Sequence, residues 1–276
     1  MRFVFDHPDA RRPADFGNEE DVRQLAVCFR RLLLSPILGH LDTTRADPIP
    51  GLTAADIGAL TGSPAVQFMQ RFESLGDNCE FGLVQRRCGA EPLGLLRFAN
   101  LELRQLLNGL ELRFEGLGER AGLEFWLSDG ARREYVVRDR RYALVFHTFL
   151  YQGEISEDEL LEKQSRRLGF LVRKLLQDLE NGEKLFVCKR NIPLTESEIL
   201  ALHAALKRFG ATTLLWVVPA DDDHPAGCVD QILPGLLRGY VDRFAPYENA
   251  HDLSLEPWLS VCVNAAKLVG CDALAT

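Results

Sequence analysis

The strongest local constraint on this chain is a helix start written twice in the same form. Ser156-Glu157-Asp158-Glu159 and Thr195-Glu196-Ser197-Glu198 are both capping boxes. In each, the hydroxyl and the glutamate three residues later can bond one another's backbone N–H groups. Ile155 with Leu160, and Leu194 with Ile199, have the spacing of a hydrophobic staple that sets the angle of chain entry. The first helix carries Leu168, Leu171, Leu175 and Leu179 to a stop at Asn181-Gly182, and the second ends by Gly210. Apolar runs flank them at Tyr142–Phe149, Leu185–Cys188 and Thr212–Val218. Residues 142–218 therefore read β-α-β-α-β, which implies parallel strands joined by right-handed crossovers. The expected class is α/β: a mostly parallel, Rossmann-like sheet in three layers, with a β-hairpin insertion and an N-terminal helical extension.

Upstream, residues 18–34 have a helical pattern, a loop rich in Asp, Thr and Pro spans Asp42 to Pro50, and a short helix is expected over Thr53–Leu60. We expect 1–62 to be the extension and 63–276 the α/β domain. Val66, Phe68 and Phe72 suggest a strand ending at Ser74-Leu75-Gly76. A helix should open at Asp77-Asn78-Cys79, where two short polar side chains can cap it, and run to Arg87. A second helix is expected over Leu101–Leu110. A hairpin should follow, Leu123–Leu127 and Tyr135–Arg138 about a Ser128-Asp129-Gly130 turn.

Composition narrows the function classes. A chain of 276 residues, 46% apolar and 26% charged, is globular and needs no staples. At net charge −8 its arginines fall in scattered pairs, Arg86-Arg87 and Arg166-Arg167 among them, that read as solvated faces. No nucleic-acid partner is expected. No apolar run approaches the roughly 18–20 residues of a membrane span, and Met1 to Asp6 lacks the order of a signal peptide. No membrane span and a cytoplasmic location are expected. Seven cysteines without a Cys-x-x-Cys pair fit neither a disulfide frame nor a four-cysteine zinc site. Neither the phosphate-binding Gly-x-x-x-x-Gly-Lys loop nor the dinucleotide Gly-x-Gly-x-x-Gly motif is present, so no cofactor is expected. Asp221-Asp222-Asp223-His224 offers hard oxygen ligands, but acids directly after a strand read as a solvated loop, and no metal is expected.

In sheets of this class, ligands sit outside the carboxyl ends of the strands. The residues there are Gly76–Cys79, His147–Phe149, Lys189–Asn191 and Pro219–Asp223. On the helix after Gly76, Phe81, Val84 and Cys88 share the apolar face, so Cys88 reads as a small buried hydrophobe. Cys79 points off that stripe, in the first turn, where free amides and the helix dipole should lower a thiol pKa toward neutrality. The same amides could hold an oxyanion during acyl transfer. The bland alternative is a cysteine buried under the extension with Asn78 as a simple cap. A thiol nucleophile needs a base, and His147, between Phe146 and Phe149 at a strand end, is the best placed of six histidines. Its alternative is a satisfied core histidine. Asn191, Asp221 or Asp252 could orient it. Asn78 and Asn191 join Cys79 and His147 in the catalytic set, and Gly76, Asp77, Arg190 and Asp221 are expected to bind substrate.

The stretch Phe72-Glu-Ser-Leu-Gly-Asp-Asn-Cys-Glu-Phe-Gly-Leu-Val-Gln-Arg-Arg87, followed by Pro92-Leu-Gly-Leu-Leu-Arg-Phe98, resembles an uncharacterised, mostly bacterial family labelled papain-like cysteine peptidase, a domain of unknown function. The likeness extends to Phe146-His147-x-Phe149, Arg166-Arg167 and Lys184-Leu-Phe-Val-Cys-Lys-Arg190. It implies Cys79 as nucleophile, His147 as base, and a cysteine hydrolase or acyltransferase acting on a peptide, glycan or small-molecule substrate. It also implies association with glycosyltransferases, which are frequent neighbours of family members. Leu75-Gly-Asp-Asn-Cys79 is similar to the opening block of SGNH esterases, but Asn78 stands where their serine does. The other class is a non-covalent glycan- or sugar-nucleotide-binding or transferase domain. There the helix mouth and Arg190 would hold an anion, while Phe244-Ala-Pro-Tyr247 or Pro257-Trp258 would stack on a sugar.

Overall fold

A strand covered on both faces reads as a near-continuous apolar run, and Leu185–Lys189, apolar up to its closing lysine, is buried at every position. In this computed structural model, which describes residues 45–48, 63–129, 132–246 and 249–270, that strand is second from one edge of a six-stranded sheet and is paired on both sides. The strands in chain order are β1 (Arg45–Ala46), β2 (Phe72–Ser74), β3 (Ala99–Asn100), β4 (Leu123–Leu127), β5 (Glu134–Asp139), β6 (Leu144–Tyr151), β7 (Leu185–Lys189), β8 (Thr213–Pro219), β9 (Val229–Leu233) and β10 (Leu236–Val241). The helices are α1 (Ser63–Gln70), α2 (Glu80–Arg87), α3 (Leu103–Glu111), α4 (Glu157–Asn181), α5 (Glu196–Lys207) and α6 (Leu255–Leu268).

The larger sheet has the order β1-β9-β10-β8-β7-β2. Strands β10, β8, β7 and β2 are parallel neighbours, while β9 and β1 are antiparallel additions at one edge. The smaller sheet, β3-β6-β5-β4, is antiparallel throughout. Strand alternation divides the core in two. Leu185 and Val187 face α1, α2 and α6, and Phe186 and Cys188 face α4, α5 and the smaller sheet. The chain is therefore α/β, built on one mixed and one antiparallel sheet.

Both capping boxes form with reciprocal bonds, and Gly182 ends α4 at φ 67°. The hairpin forms as β4 and β5, the second helix as α3, and Cys88 lies in the core.

Two expectations are corrected. The run 142–218 is not one parallel series: β6 belongs to the antiparallel sheet, and only β7-α5-β8 is a parallel crossover. The burial of β6 alternates along Leu144–Thr148, as it should for a strand covered on one face only, whereas β7 has no alternation. The expected strand over Val66 to Phe72 is mostly α1, with β2 reduced to Phe72–Ser74. Ala65, Phe68, Met69 and Phe72 are all buried at i, i+3, i+4 and i+7, which is helical spacing. Within the segment expected to be an extension, Arg45–Ala46 pairs with β9, and the Asp47 carbonyl accepts from Asn264 Nδ2 at 2.7 Å. The helices expected over 18–34 and 53–60 lie outside the described residues.

Candidate functional site

The junction of the two sheets brings Cys79 and His147 together. Cys79 occupies the N-cap position of α2, just after β2, and is half-buried. Five contacts fix that helix start. Asn78 Oδ1 accepts from the Glu80 amide at 3.0 Å, which supplies the expected Asx cap. Asn78 Nδ2 donates to Asn191 Oδ1 at 3.1 Å, and the Asn191 amide donates to Asp77 Oδ2 at 3.3 Å. Glu80, fully buried, accepts from Trp258 Nε1 at 2.9 Å and pairs with Lys189 at 2.8 Å. The end of β7 is thus bolted to the turn that presents the thiol.

His147 comes from β6, where the ladder is irregular. Val136 faces His147 but Glu134 faces Tyr151, so β6 carries extra residues between these pairs. Such a bulge re-aims side chains. Here Phe149 takes a left-handed φ of 56°, a costly conformation for a bulky residue. Glu134 holds the bulge: Oε1 accepts from the Phe149 amide at 2.8 Å, and Oε2 lies 3.1 Å from His147 Nδ1. With Nδ1–H donated to that carboxylate, Nε2 is left as the proton-accepting nitrogen.

Cys79, His147, Glu134, Asn78, Trp126 and Ser128 line one cavity of about 60 Å³. Burial pushes the Cys79 thiol up to about 12, with Glu134 adding to the rise while Arg86 and Lys189 oppose it. The expected lowering by the helix terminus is overturned, because a terminal dipole is worth less than the loss of water around sulfur. At neutral pH the resting group is a thiol.

No protein-family model, no curated protein and no solved structure matches this chain.

The other sequence-derived candidates divide. Asp77 also lines the cavity. Gly76, at φ 87°, gives the turn a conformation that L side chains resist, and its amide donates to Ser74 Oγ at 3.3 Å. Asn191 holds Asn78 and donates to the Ala245 carbonyl, so it positions the helix start and does not orient the imidazole. Arg190 is buried, bonded to the Leu101 and Leu75 carbonyls, and its role here is to tie segments together. Asp221 is exposed in the loop after β8, 2.7 Å from His224 Nδ1, and Asp252 pairs with Arg243. Neither lines the Cys79 cavity. Trp258, considered as a sugar platform, is a core residue. Among the described residues no group of three or more candidate ligands could hold a metal ion, and no helix is long and apolar enough to cross a membrane.

Glu134 and Trp126 were missed. The available signal was that the hairpin precedes the histidine strand and would pair with it, which puts an acid at the start of β5 near His147.

Proposed function

We propose that this protein is a cysteine-nucleophile hydrolase or acyltransferase of the peptidase or amidase kind. One observation carries the reading: Cys79 from the mixed sheet and His147 from the antiparallel sheet line one cavity, with Glu134 on the imidazole's other nitrogen. This supports a nucleophile–base–orienter arrangement for acyl transfer, which is recognised by roles and not by fold. Glu134 holds the tautomer, and Nε2 takes the thiol proton as Sγ attacks the acyl carbon. Collapse breaks the acyl–leaving-group bond, and the leaving group takes the proton back from Nε2. Water or a second nucleophile, activated in the same way, then cleaves the thioester. Because burial keeps the thiol protonated, deprotonation accompanies attack and places the burden on the base.

The Rossmann-like part of this reading is confined to the four parallel strands, where Cys79 and Asn191 follow the carboxyl ends of β2 and β7. A cytoplasmic location is proposed along with this reading, and the family likeness implies an association with glycosyltransferases.

The test is acylation by p-nitrophenyl acetate, followed by rapid mixing and intact mass. A nitrophenol burst with a single acetyl adduct on Cys79 is expected. Cys79→Ala should abolish it, and His147→Gln should slow it by roughly 10²–10⁴-fold. A burst that survives in Cys79→Ala would end the reading. Saturable quenching of Trp126 by a sugar nucleotide, without any adduct, would put the binding class in its place.

A further inference from the structure

A second cavity, of about 240 Å³, shares His147 and Phe98 with the first. At roughly 30 Å³ per water it has room for about eight, which suits one aromatic or branched side arm. Its inner wall is apolar, made by Leu95, Phe146, Leu168 and Leu171, and Leu93 and Phe149 stand exposed at the rim. Its charged lining is unbalanced. Arg86, Arg97 and Arg167 face a single carboxylate, Glu91. Arg86 and Arg97 both bond Glu91 at 2.6 Å. Arg97 is further committed to the carbonyls of Pro92, Gly82 and Ala90. The Glu73 carboxylate lies behind Gly94 but pairs with Lys174 and Lys184. Arg167 is left over. Its neighbour Arg166 pairs with Glu162 at the surface, whereas Arg167 turns into the cavity and, among the described residues, makes only a 3.5 Å contact with Gln164 Oε1. Burial works against its charge, and among the described residues no carboxylate offsets that cost.

We propose that this cavity is a substrate side-arm subsite that takes an apolar or aromatic group ending in a carboxylate, bound through both oxygens by Arg167. The planar guanidinium fork matches that geometry, and the apolar wall takes the hydrocarbon. Because His147 lines both cavities, a side arm seated here places the attached acyl group beside Cys79. This last step rests on the hydrolase reading above, while the anion site stands on the cavity alone.

Calorimetric titration of the full chain with 4-phenylbutyrate and with its neutral amide, 4-phenylbutanamide, separates the two. The acid should bind at least about tenfold more tightly than the amide, as one charge-assisted pair allows. Wild type and Cys79→Ala should behave alike. Arg167→Met should lose that tenfold for the acid and leave the amide unchanged, whereas Arg167→Lys, which keeps the charge but not the planar fork, should retain only part of the preference. Equal binding of acid and amide, no binding of either, or a preference retained in Arg167→Met overturns the proposal. If Arg167→Met fails to fold, the wild-type comparison and the lysine variant still decide. Acid-selective binding without acetylation of Cys79 would sink the hydrolase reading and leave the subsite standing; the reverse result would do the opposite.

Discussion

The buried pair that fixes the start of α2 can be broken from one side or removed whole, and the two changes should differ. Lys189 and Glu80 are 2% and 0% exposed, 2.8 Å apart, with Trp258 Nε1 on the other carboxylate oxygen. The ammonium also donates to Asn191 Oδ1 and lies 4.7 Å from the Phe244 ring. Lys189→Met fills similar volume but leaves the Glu80 carboxylate in hydrocarbon with a single donor, at a cost of about 3–5 kcal/mol. Adding Glu80→Gln removes the stranded charge and keeps an oxygen for Trp258. The double variant should recover about 2 kcal/mol of that loss. At a urea slope of about 3 kcal/mol per molar, the single variant's midpoint should fall by roughly 1–1.5 M and the double's by about half as much. Equilibrium unfolding followed by circular dichroism reads both. If Lys189→Met shifts the midpoint by less than about 0.3 M, or the double variant is no more stable than the single, this pair does not anchor the cysteine turn.

Two more expectations follow from the same geometry. Burial pushes the thiols of Cys79 and Cys88 up to about 12, so the folded chain keeps protons that the unfolded chain releases above about 8.5. Their contribution to stability is complete below that pH and is lost as pH climbs toward 12. The urea midpoint should fall steadily from pH 8.5 to 10.5, and iodoacetamide labelling of Cys79 should still be rising at pH 10; a labelling plateau below pH 8 would contradict the buried-thiol argument. Gly82→Ala should destabilise by about 1–3 kcal/mol and slow Cys79 acetylation. A Cβ there would meet the Arg97 carbonyl at 2.6 Å and the Phe98 ring at 2.8 Å, and Phe98 lines both cavities. A thermal melt unchanged from wild type would show that α2 and the Phe98 segment can separate without cost.

Local chemistry was legible in the residues. The two capping boxes, the Gly182 stop, the Asp77–Cys79 helix start and the buried fate of Cys88 all rest on neighbours a few positions apart. Cys79 and His147 were legible as types, because a thiol at a helix start and an imidazole at a strand end carry their chemistry with them. Glu134 was not, since an acid at the first position of a hairpin strand looks like any solvated one until the bulge at Phe149 draws it inward. Arg167 was hidden likewise, as one half of a pair whose other member is a surface residue.

Sequence alone determined where helices begin and end, which stripes are apolar and which side chains could do acyl chemistry, because those properties depend on spacing along a few turns. Only the tertiary structure decided that β6 joins a separate antiparallel sheet, that this sheet meets the parallel one at Cys79, and that closing the junction strips water from the thiol. Strand partnership and desolvation are set by residues far apart in the chain, and no local pattern encodes which distant surface will cover a given atom.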